Sequence, residues 1–409
     1  MKTIKDIDIA GKNVLLRADY NVPLDESGAI TDDYRIKQAI PTLKYLLEQD
    51  CRVVIISHLG RPEGERNPKY SMRPVAERLE ELVDREVALA DDVDTVDSQE
   101  NQITLLENLR FWPEETGNDS DFAKKLAGLG EVFVQDGFGV VHRAHASTDA
   151  VTRHMDQNVA GLLLAREIEV ITNAMENPER PLVAIFGGAK ISDKIGVIER
   201  FIDKADKILI GGAMANTFFA YSGNNVGKSL YESKQSEVID KLLHKVLEKE
   251  DTDCKACKDL SSHGDLLAAQ HTIELPSDVA VANSVDDTQR RVIVETDKVA
   301  DDEYILDIGT DTIKNYQNIL SQAGTVIWNG PLGYTELDEF ANGSNHIAAT
   351  LKEHKDSIET IIGGGDTAGF IVHWDPDKGD SFTHISTGGG AALDLMAGEK
   401  LPGVEALSS

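Results

Sequence analysis

Short, nearly continuous apolar runs recur along the whole sequence, and amphipathic segments separate several of them. Such runs are typical of strands buried on both faces of a parallel sheet. The runs occupy residues 14–16, 53–56, 103–106 and 132–134 in the first half, and 182–185, 208–210, 279–281, 325–328, 361–362 and 384–385 in the second. Residues 74–83, 194–205 and 236–248 have the apolar spacing of helices. This alternation predicts an α/β protein built from βαβ units, with doubly wound, Rossmann-like parallel sheets.

The chain of 409 residues is too long for one ordinary hydrophobic core and suits two domains of about 200 residues each. Residues 161–175 have a helical pattern that ends before Pro178 and Pro181, which is typical of a connector between domains. We therefore predict two parallel-sheet domains, at residues 1–165 and 166–390, that are joined by a connecting helix and a hinge.

The charge balance is strongly acidic, with 41 basic and 71 acidic residues and a formal net charge of −30. Such self-repulsion favours a high-salt cytoplasm, where charges are screened within about 3 Å in 1 M salt, although an acidic mesophilic protein is the alternative. Nucleic acid is excluded as a partner because its phosphates need cations. No apolar run approaches the roughly 18 residues of a membrane span, and three cysteines fit a reducing cytoplasm.

Cationic side chains follow the apolar runs of the first half. His58, Arg61, Arg110 and Arg143 come after successive runs, and Arg35 is predicted in a loop after the first. Ligands bind beyond the carboxyl ends of strands in such sheets, and arginine binds carboxylate and phosphate oxygens bidentately. Any single arginine could instead pair with a surface acid. The recurrence in so acidic a chain predicts an anion-binding site.

Glycine clusters follow the runs of the second half, where a backbone can approach phosphate closely and a helix N-terminus can add N–H donors. They include Gly187 and Gly188, Gly211 and Gly212, Gly330, Gly363 to Gly365, and Gly388 to Gly390. A lone cluster is usually a tight turn, but five in succession predict a nucleotide site. Lys190 and Lys194 are predicted one helical turn apart, facing that site. Asp366, in a glycine-rich loop, is the predicted Mg²⁺ ligand.

Three further patterns are discarded. Residues 223–229 resemble a phosphate-binding P-loop, but three residues separate the glycines where four are required. Residues 363–368 mimic a dinucleotide fingerprint but lie far from an opening βαβ unit. Cys254 and Cys257, with His263 nearby, form at most half of a zinc site in a predicted acidic loop.

Eight motifs in order closely resemble the phosphoglycerate kinase family along almost the whole chain. They are RADYNVP at 17–23, SHLGRP at 57–62, LENLRF at 106–111, HRAHAS at 142–147, GGAK at 187–190, WNGP at 328–331, GGGDT at 363–367 and STGGGA at 386–391. The resemblance implies a 3-phosphoglycerate site formed by Asp19, Asn21, Arg35, His58, Arg61, Arg110 and Arg143. It implies a nucleotide–Mg²⁺ site formed by Lys190, Lys194, Gly211, Gly212, Asn329, Glu336, Gly363, Gly364, Gly365, Asp366 and Thr367. It implies that Arg35, Lys190, Lys194, Gly388, Gly389 and Gly390 are catalytic.

The resemblance also implies a reaction, namely reversible phosphoryl transfer between ATP and the carboxylate of 3-phosphoglycerate, giving 1,3-bisphosphoglycerate and ADP. It implies bound Mg²⁺, hinge closure, and residues after about 390 that return to the first domain. We expect a cytoplasmic enzyme with no nucleic-acid or membrane partner, a monomer or alternatively a homodimer. With the acidity, the resemblance suggests a halophilic archaeal source. A nicotinamide-dependent oxidoreductase and a catalytically silent phosphate-binding protein are the alternatives.

Overall fold

A computed structural model describes residues 1–98, 101–250, 267, 270–286 and 290–408. Cys254, Cys257 and His263 lie outside the described residues. The chain divides into two compact units: unit 1 comprises Met1–Val170 and Glu399–Ser409, and unit 2 comprises Ile171–Gly398. The predicted α/β class with two parallel sheets is confirmed. None of the helices in the described part of the chain is both long and apolar enough to cross a membrane.

Unit 1 is built on a six-stranded sheet in which every neighbouring pair is parallel. Its strands are β1 (Asn13–Arg17), β2 (Arg52–Ile56), β3 (Ala88–Ala90), β4 (Ile103–Leu106), β5 (Val132–Gln135) and β6 (Asn158–Ala160), in the order β3-β4-β2-β1-β5-β6. The chain winds from β1 to one edge and then returns to the other side of β1. The switch point therefore lies between β1 and β5, where the carboxyl ends of strands leave a crevice.

Helices cover the sheet of unit 1. They are α1 (Tyr34–Glu48), α2 (Arg73–Val83), α3 (Pro113–Thr116), α4 (Ser120–Ala127), the first part of α5 (Leu162–Glu176), and α13 (Pro402–Glu405). In α2, Val75, Leu79 and Val83 form one buried face, and the left-handed conformation of Asp84 ends the helix. This pattern is the amphipathic spacing that predicted the helix. The division between the units falls within α5.

Unit 2 has a second six-stranded parallel sheet. Its strands are β7 (Leu182–Phe186), β8 (Lys207–Ile210), β9 (Ile273–Glu274), β13 (Thr325–Asn329), β14 (Glu359–Gly363) and β15 (His384–Ile385), in the order β15-β14-β13-β7-β8-β9. The accompanying helices are α6 (Ile195–Lys204), α7 (Gly212–Tyr221), α8 (Ser236–Lys249), α9 (Thr310–Leu320), α10 (Asn342–Glu353), α11 (Gly365–Trp374) and α12 (Gly390–Ala397). Here the switch point lies between β7 and β13.

A small antiparallel sheet in unit 2 differs from the prediction. It consists of β10 (Asp278–Ala282), β11 (Val292–Glu295) and β12 (Tyr304–Ile308), with β10 in the centre. The apolar run at 279–281 is a strand as predicted, but its placement in a parallel sheet is wrong. An apolar run reveals burial and not the direction of its partner, and both neighbours of β10 run antiparallel to it.

Candidate active site

The carboxyl end of β1 carries a buried arginine in unit 1. Arg17 is 1% exposed, and its Nε donates a hydrogen bond to Ser147 Oγ at 2.8 Å. Its Nη2 lies 3.4 Å from His58 Nδ1, so the ends of β1 and β2 meet at this point. Burial lowers the pKa of Arg17, while the nearby carboxylates of Glu115 and Asp19 oppose that shift. The guanidinium stays charged because its usual pKa is above 12.

Three of the predicted substrate-binding residues contact one another: Asp19 and Asn21, in the loop after β1, and Arg35. Arg35 Nη1 lies 3.3 Å from Asp19 Oδ2 and donates to the Asn21 carbonyl at 3.1 Å. The Gly60 N–H donates to Asn21 Oδ1 at 2.8 Å, which links the loop after β2 to the same group. Arg35 lies in the first turn of α1, so its predicted position in a loop is wrong. The Tyr34 N–H bonds to Asp32 Oδ1 at 2.7 Å, and such local bonds favour a helix start.

Arg110 approaches the same group from the turn after β4. Its Nη1 donates to the Gly60 carbonyl at 2.7 Å, and its backbone N–H donates to Asn108 Oδ1 at 3.1 Å. Burial lowers the pKa of Arg110 to about 10, and the charges of Arg143 and Arg17 add to the effect. The three guanidinium groups are therefore close enough to repel one another, which is the arrangement that an anionic ligand relieves.

Two histidines in this group are neutral at pH 7. Burial lowers the pKa of His58 well below its usual value, and Arg17 and Arg110 add to the shift. Burial and the same two arginines lower the pKa of His145 to about 4. Arg143 contributes to both shifts and donates from Nε to His142 Nε2 at 3.1 Å. The positive charge here therefore comes from arginine.

In unit 2, a cleft of about 650 Å³ opens at the switch point between β7 and β13. Gly188, Gly212 and Pro331 form its floor, and Asp366 and Glu336 supply carboxylates to its wall. Exposed apolar side chains line its mouth, namely Leu230, Tyr231, Val285 and Tyr334. An apolar cleft with a few convergent polar groups is the usual form of a small-molecule site.

Glycine is required at two positions in the loops around this cleft. A Cβ atom on Gly187 would lie 2.0 Å from the Pro331 carbonyl oxygen, so the backbones after β7 and β13 touch. Gly212 has φ of +60°, and a Cβ there would lie 2.7 Å from the Gly188 nitrogen. Side chains at either position would push the loops apart. Gly211, whose N–H donates to the Phe186 carbonyl, precedes Gly212 at the start of α7.

Lys194 lies against these glycine loops. Its Nζ donates to the Gly187 carbonyl at 2.7 Å and to the Asn329 carbonyl at 3.0 Å. Burial lowers the pKa of Lys194 to about 8, and Asp366 opposes the shift. Lys190 is exposed and lies outside a helix, because α6 begins at Ile195. The predicted spacing of one helical turn between the two lysines is therefore wrong.

Asp366 lies in the first turn of α11, directly after β14, and not in a loop as predicted. Next to it, Thr367 Oγ1 accepts a hydrogen bond from the Gly330 N–H at 2.6 Å. Asn329 Nδ2 is buried and has no hydrogen-bond partner among the described residues, so it is a donor still to be satisfied. Gly363 and Gly364 precede α11. Gly388 and Gly389 similarly precede α12, which begins at Gly390.

Comparison with known proteins identifies the family. Residues 4–399 match the family model described as "Phosphoglycerate kinase". The chain belongs to the phosphoglycerate kinase family. It is 44% identical to the phosphoglycerate kinase of Chlorobium phaeobacteroides over 415 residues, covering 100% of this chain and 99% of that one. It is 44% identical to that of a Picosynechococcus species over 412 residues, covering 99% and 97%.

Solved structures of the family agree with the fold. The phosphoglycerate kinase of Coxiella burnetii superimposes with a TM-score of 0.82 at 35% identity, covering 99% of this chain and 98% of that chain. That of Pyrococcus horikoshii superimposes with a TM-score of 0.81 at 31% identity, covering 100% and 98%. The predicted resemblance is confirmed. The curated relatives named above are bacterial and give no support to a halophilic archaeal source.

The structure shows which of the predicted site residues lie together. In unit 1, Asp19, Asn21, Arg35, His58, Arg110 and Arg143 form one group through the contacts and charges described above. Arg61 follows Gly60 in the chain, and its side chain is exposed. In unit 2, Gly212, Glu336 and Asp366 line the cleft, whereas Lys194, Asn329 and Thr367 support the glycine loops.

Sequence reasoning missed a buried carboxylate in the group of unit 1. Glu115 is fully buried; its Oε2 accepts from the Ser147 N–H at 3.0 Å and its Oε1 from the Ser147 hydroxyl at 2.6 Å. It lies 4.0 Å from Arg17 and 3.7 Å from His145, so it partly balances the arginine charges. In the sequence it stands beside Glu114 and looks like one more surface acid of an acidic chain.

Proposed function

We propose that the chain transfers a phosphoryl group reversibly between ATP and the carboxylate of 3-phosphoglycerate, giving ADP and 1,3-bisphosphoglycerate. The observation that carries this proposal is the division of chemistry between the two units. Unit 1 holds a group of buried and half-buried arginines around Asp19 and His58. Unit 2 holds an apolar cleft with glycine loops, Lys194 and Asp366.

The arginine group suits a ligand that carries both a phosphate and a carboxylate. Arg35, Arg110 and Arg143 each offer planar pairs of N–H donors that match such oxygens. The neutral His58 and Asn21 can add hydrogen bonds without adding charge. Asp19 orients Arg35, from which its Oδ2 lies 3.3 Å away. In this proposal unit 1 binds and orients 3-phosphoglycerate.

The accepting group needs no general base. A carboxylate is already ionised at pH 7, so its oxygen can attack phosphorus without first losing a proton. The proposed catalytic set contains none: it consists of Arg35, Lys190, Lys194 and the amides of Gly388 to Gly390. Catalysis then depends on alignment and on stabilising the charge of the phosphoryl group in transit, which cations and N–H donors provide.

Asp366 is the residue that would hold Mg²⁺. Its carboxylate lines the cleft, and no group of three or more His, Cys, Asp or Glu residues among those described could hold a metal ion by itself. That arrangement fits Mg²⁺, which binds proteins through one or two carboxylates and completes its shell with phosphates and water. When bound, Mg²⁺ would neutralise charge on the nucleotide phosphates.

The two substrates are proposed to bind on different units, so transfer requires a hinge motion that closes the units around both ligands and excludes water. The proposed enzyme is cytoplasmic and acts without nucleic acid or membrane, as a monomer or alternatively a homodimer. Its net charge of −30 supports activity at high salt, where screening relieves the repulsion between acidic side chains.

An assay of acyl phosphate formation tests the proposal. Purified protein is given ATP, 3-phosphoglycerate and Mg²⁺, each is omitted in turn, and KCl is raised from low to molar concentration. We expect turnover that needs all three components and rises with salt. A folded protein, checked by circular dichroism, that is inactive at every salt concentration would refute the proposed reaction. Activity that falls with salt would refute only the salt adaptation.

A further inference from the structure

The loop between β7 and α6 carries Lys190, and its middle has few attachments of its own. At one end the Gly188 N–H donates to the Pro331 carbonyl at 2.9 Å, and at the other Lys194 bonds to two backbone carbonyls. Between them Ala189 and Lys190 are exposed. The side chain of Ile191 is buried and anchors the loop from below. An exposed lysine on such a loop needs a further attachment if it is to be held in one position.

Ser192 supplies that attachment through a carboxylate from another part of unit 2. Its backbone N–H donates to Glu232 Oε2 at 3.0 Å, and its hydroxyl donates to Glu232 Oε1 at 2.6 Å. Both oxygens of the carboxylate therefore accept hydrogen bonds from the loop. Partial burial tends to raise the pKa of Glu232, but the hydrogen bonds from Ser192 and from the Ile191 backbone, together with the charge of Lys190, hold the pKa below its usual value. The charge of Lys190 contributes in the same direction, so Lys190 lies near this carboxylate.

Glu232 ends a segment, residues 228–232, that is hydrogen-bonded to both β12 and α7. The Ile305 N–H on β12 donates to Ser229 Oγ at 2.8 Å, and Asn216 Nδ2 on α7 donates to the Leu230 carbonyl at 3.1 Å. The Glu232 N–H itself donates to Thr217 Oγ1 at 3.2 Å. A carboxylate on a segment with these attachments can fix the position of the loop that carries Lys190.

The same segment also lines the cleft of unit 2. Lys228, Ser229, Leu230 and Tyr231 all form part of the cleft wall, and Glu232 is the next residue in the chain. Glu232 therefore connects the cleft wall, which a bound nucleotide would contact, to the loop that carries Lys190. The link needs no large motion, because the two hydrogen bonds to Ser192 are already formed.

We propose that Glu232 is a positioning residue for phosphoryl transfer, and that it holds the Lys190 loop through Ser192 in the conformation that presents Lys190 to the transferring phosphate. The inference rests on the proposed kinase function. A misplacement of about 1 Å can slow catalysis by about a hundredfold. Loss of the hydrogen bonds between Glu232 and Ser192 should therefore reduce turnover. The cleft itself stays intact, so the affinity for nucleotide should change little.

The test uses Glu232→Ala, Ser192→Ala and the double variant in the full chain. We expect Glu232→Ala to lower kcat about tenfold to a hundredfold while the KM for ATP stays within about twofold. The double variant should lose no more than Glu232→Ala alone, because both changes break one interaction. Glu232→Gln should restore most of the activity, since an amide can still accept from the N–H and donate to the hydroxyl.

Glu237→Ala is the matched control, because Glu237 is an exposed acid at the start of α8 and its loss changes the net charge equally. It should behave as the wild type. Limited trypsin digestion adds a readout independent of activity: cleavage after Lys190 should be faster in Glu232→Ala than in Glu237→Ala. Unchanged kcat, equal losses of kcat and ATP affinity, or unchanged cleavage in Glu232→Ala would each overturn the inference. An inactive wild type would instead refute the proposed function, and the digestion would still decide whether Glu232 holds the loop.

Discussion

We predict that nucleotide binding depends on pH through the proposed nucleotide-site residue Lys194. Its ammonium group lies against the carbonyls of Gly187 and Asn329, and burial lowers its pKa to about 8. Bound nucleotide phosphates would stabilise the charged form and raise this pKa again. We therefore expect the affinity for nucleotide to be greatest when Lys194 is protonated in the free protein and to fall as pH rises through about 8.

The size of the effect follows from the two protonation states. With a pKa of about 8 in the free protein, about three quarters of the lysine is charged at pH 7.5 and about one tenth at pH 9. If the bound form stays protonated, the Kd for Mg²⁺-ADP should rise about eightfold between these values. The nucleotide phosphates are already ionised throughout this range, so they add little to the slope.

Isothermal titration calorimetry at four pH values between 7.5 and 9, in molar KCl, measures this slope. The matched control is Lys194→Arg, because a guanidinium stays charged over the whole range. The absolute affinity of this variant can differ from that of the wild type, but its Kd should vary little with pH. A flat wild-type profile, or the same slope in both proteins, would refute the role assigned to Lys194.

Three further predictions concern the other proposed groups. Arg35→Ala should raise the barrier to turnover by about 2–4 kcal/mol, measured as kcat, whereas Lys37→Ala on the same helix should not; near-normal turnover would remove Arg35 from the catalytic set. Asp366→Asn should shift the Mg²⁺ concentration for half-maximal activity upward by about tenfold or more, and an unchanged midpoint would contradict its role as ligand. Small-angle scattering should show a smaller radius of gyration with both substrates than with neither, and equal radii would exclude hinge closure.

The general positions of both sites could be predicted from the sequence because parallel sheets gather the carboxyl ends of their strands at one edge. Arg110 and Asp366 illustrate the principle. Each comes just after a buried apolar run, and each lies near groups that come after other strands, namely Gly60 in unit 1 and Lys194 in unit 2. The residues directly after each apolar run therefore predict the general positions of the two candidate sites.

Features that depend on contacts between distant residues could not be predicted in the same way. Glu115 and Ser147 are 32 positions apart, and neither has a local pattern that marks it as buried. The spacing of Lys190 and Lys194 suggested a helix, but the close contact between the loops after β7 and β13 delays the start of α6. The direction of β10 likewise depends on its partners and not on its own residues.

The neutral histidines of unit 1 affect how ligand binding there should depend on pH. His58 and His145 do not gain a proton until the pH is far below 7, and Arg110 does not lose one until about pH 10. These three side chains therefore keep the same charge across the pH range of a living cell. A phosphate ester, by contrast, loses half of its second negative charge near pH 6. If binding of a phosphate ester to unit 1 weakens on acidification, the cause would be protonation of the ligand's phosphate. The charges of His58, His145 and Arg110 would not change.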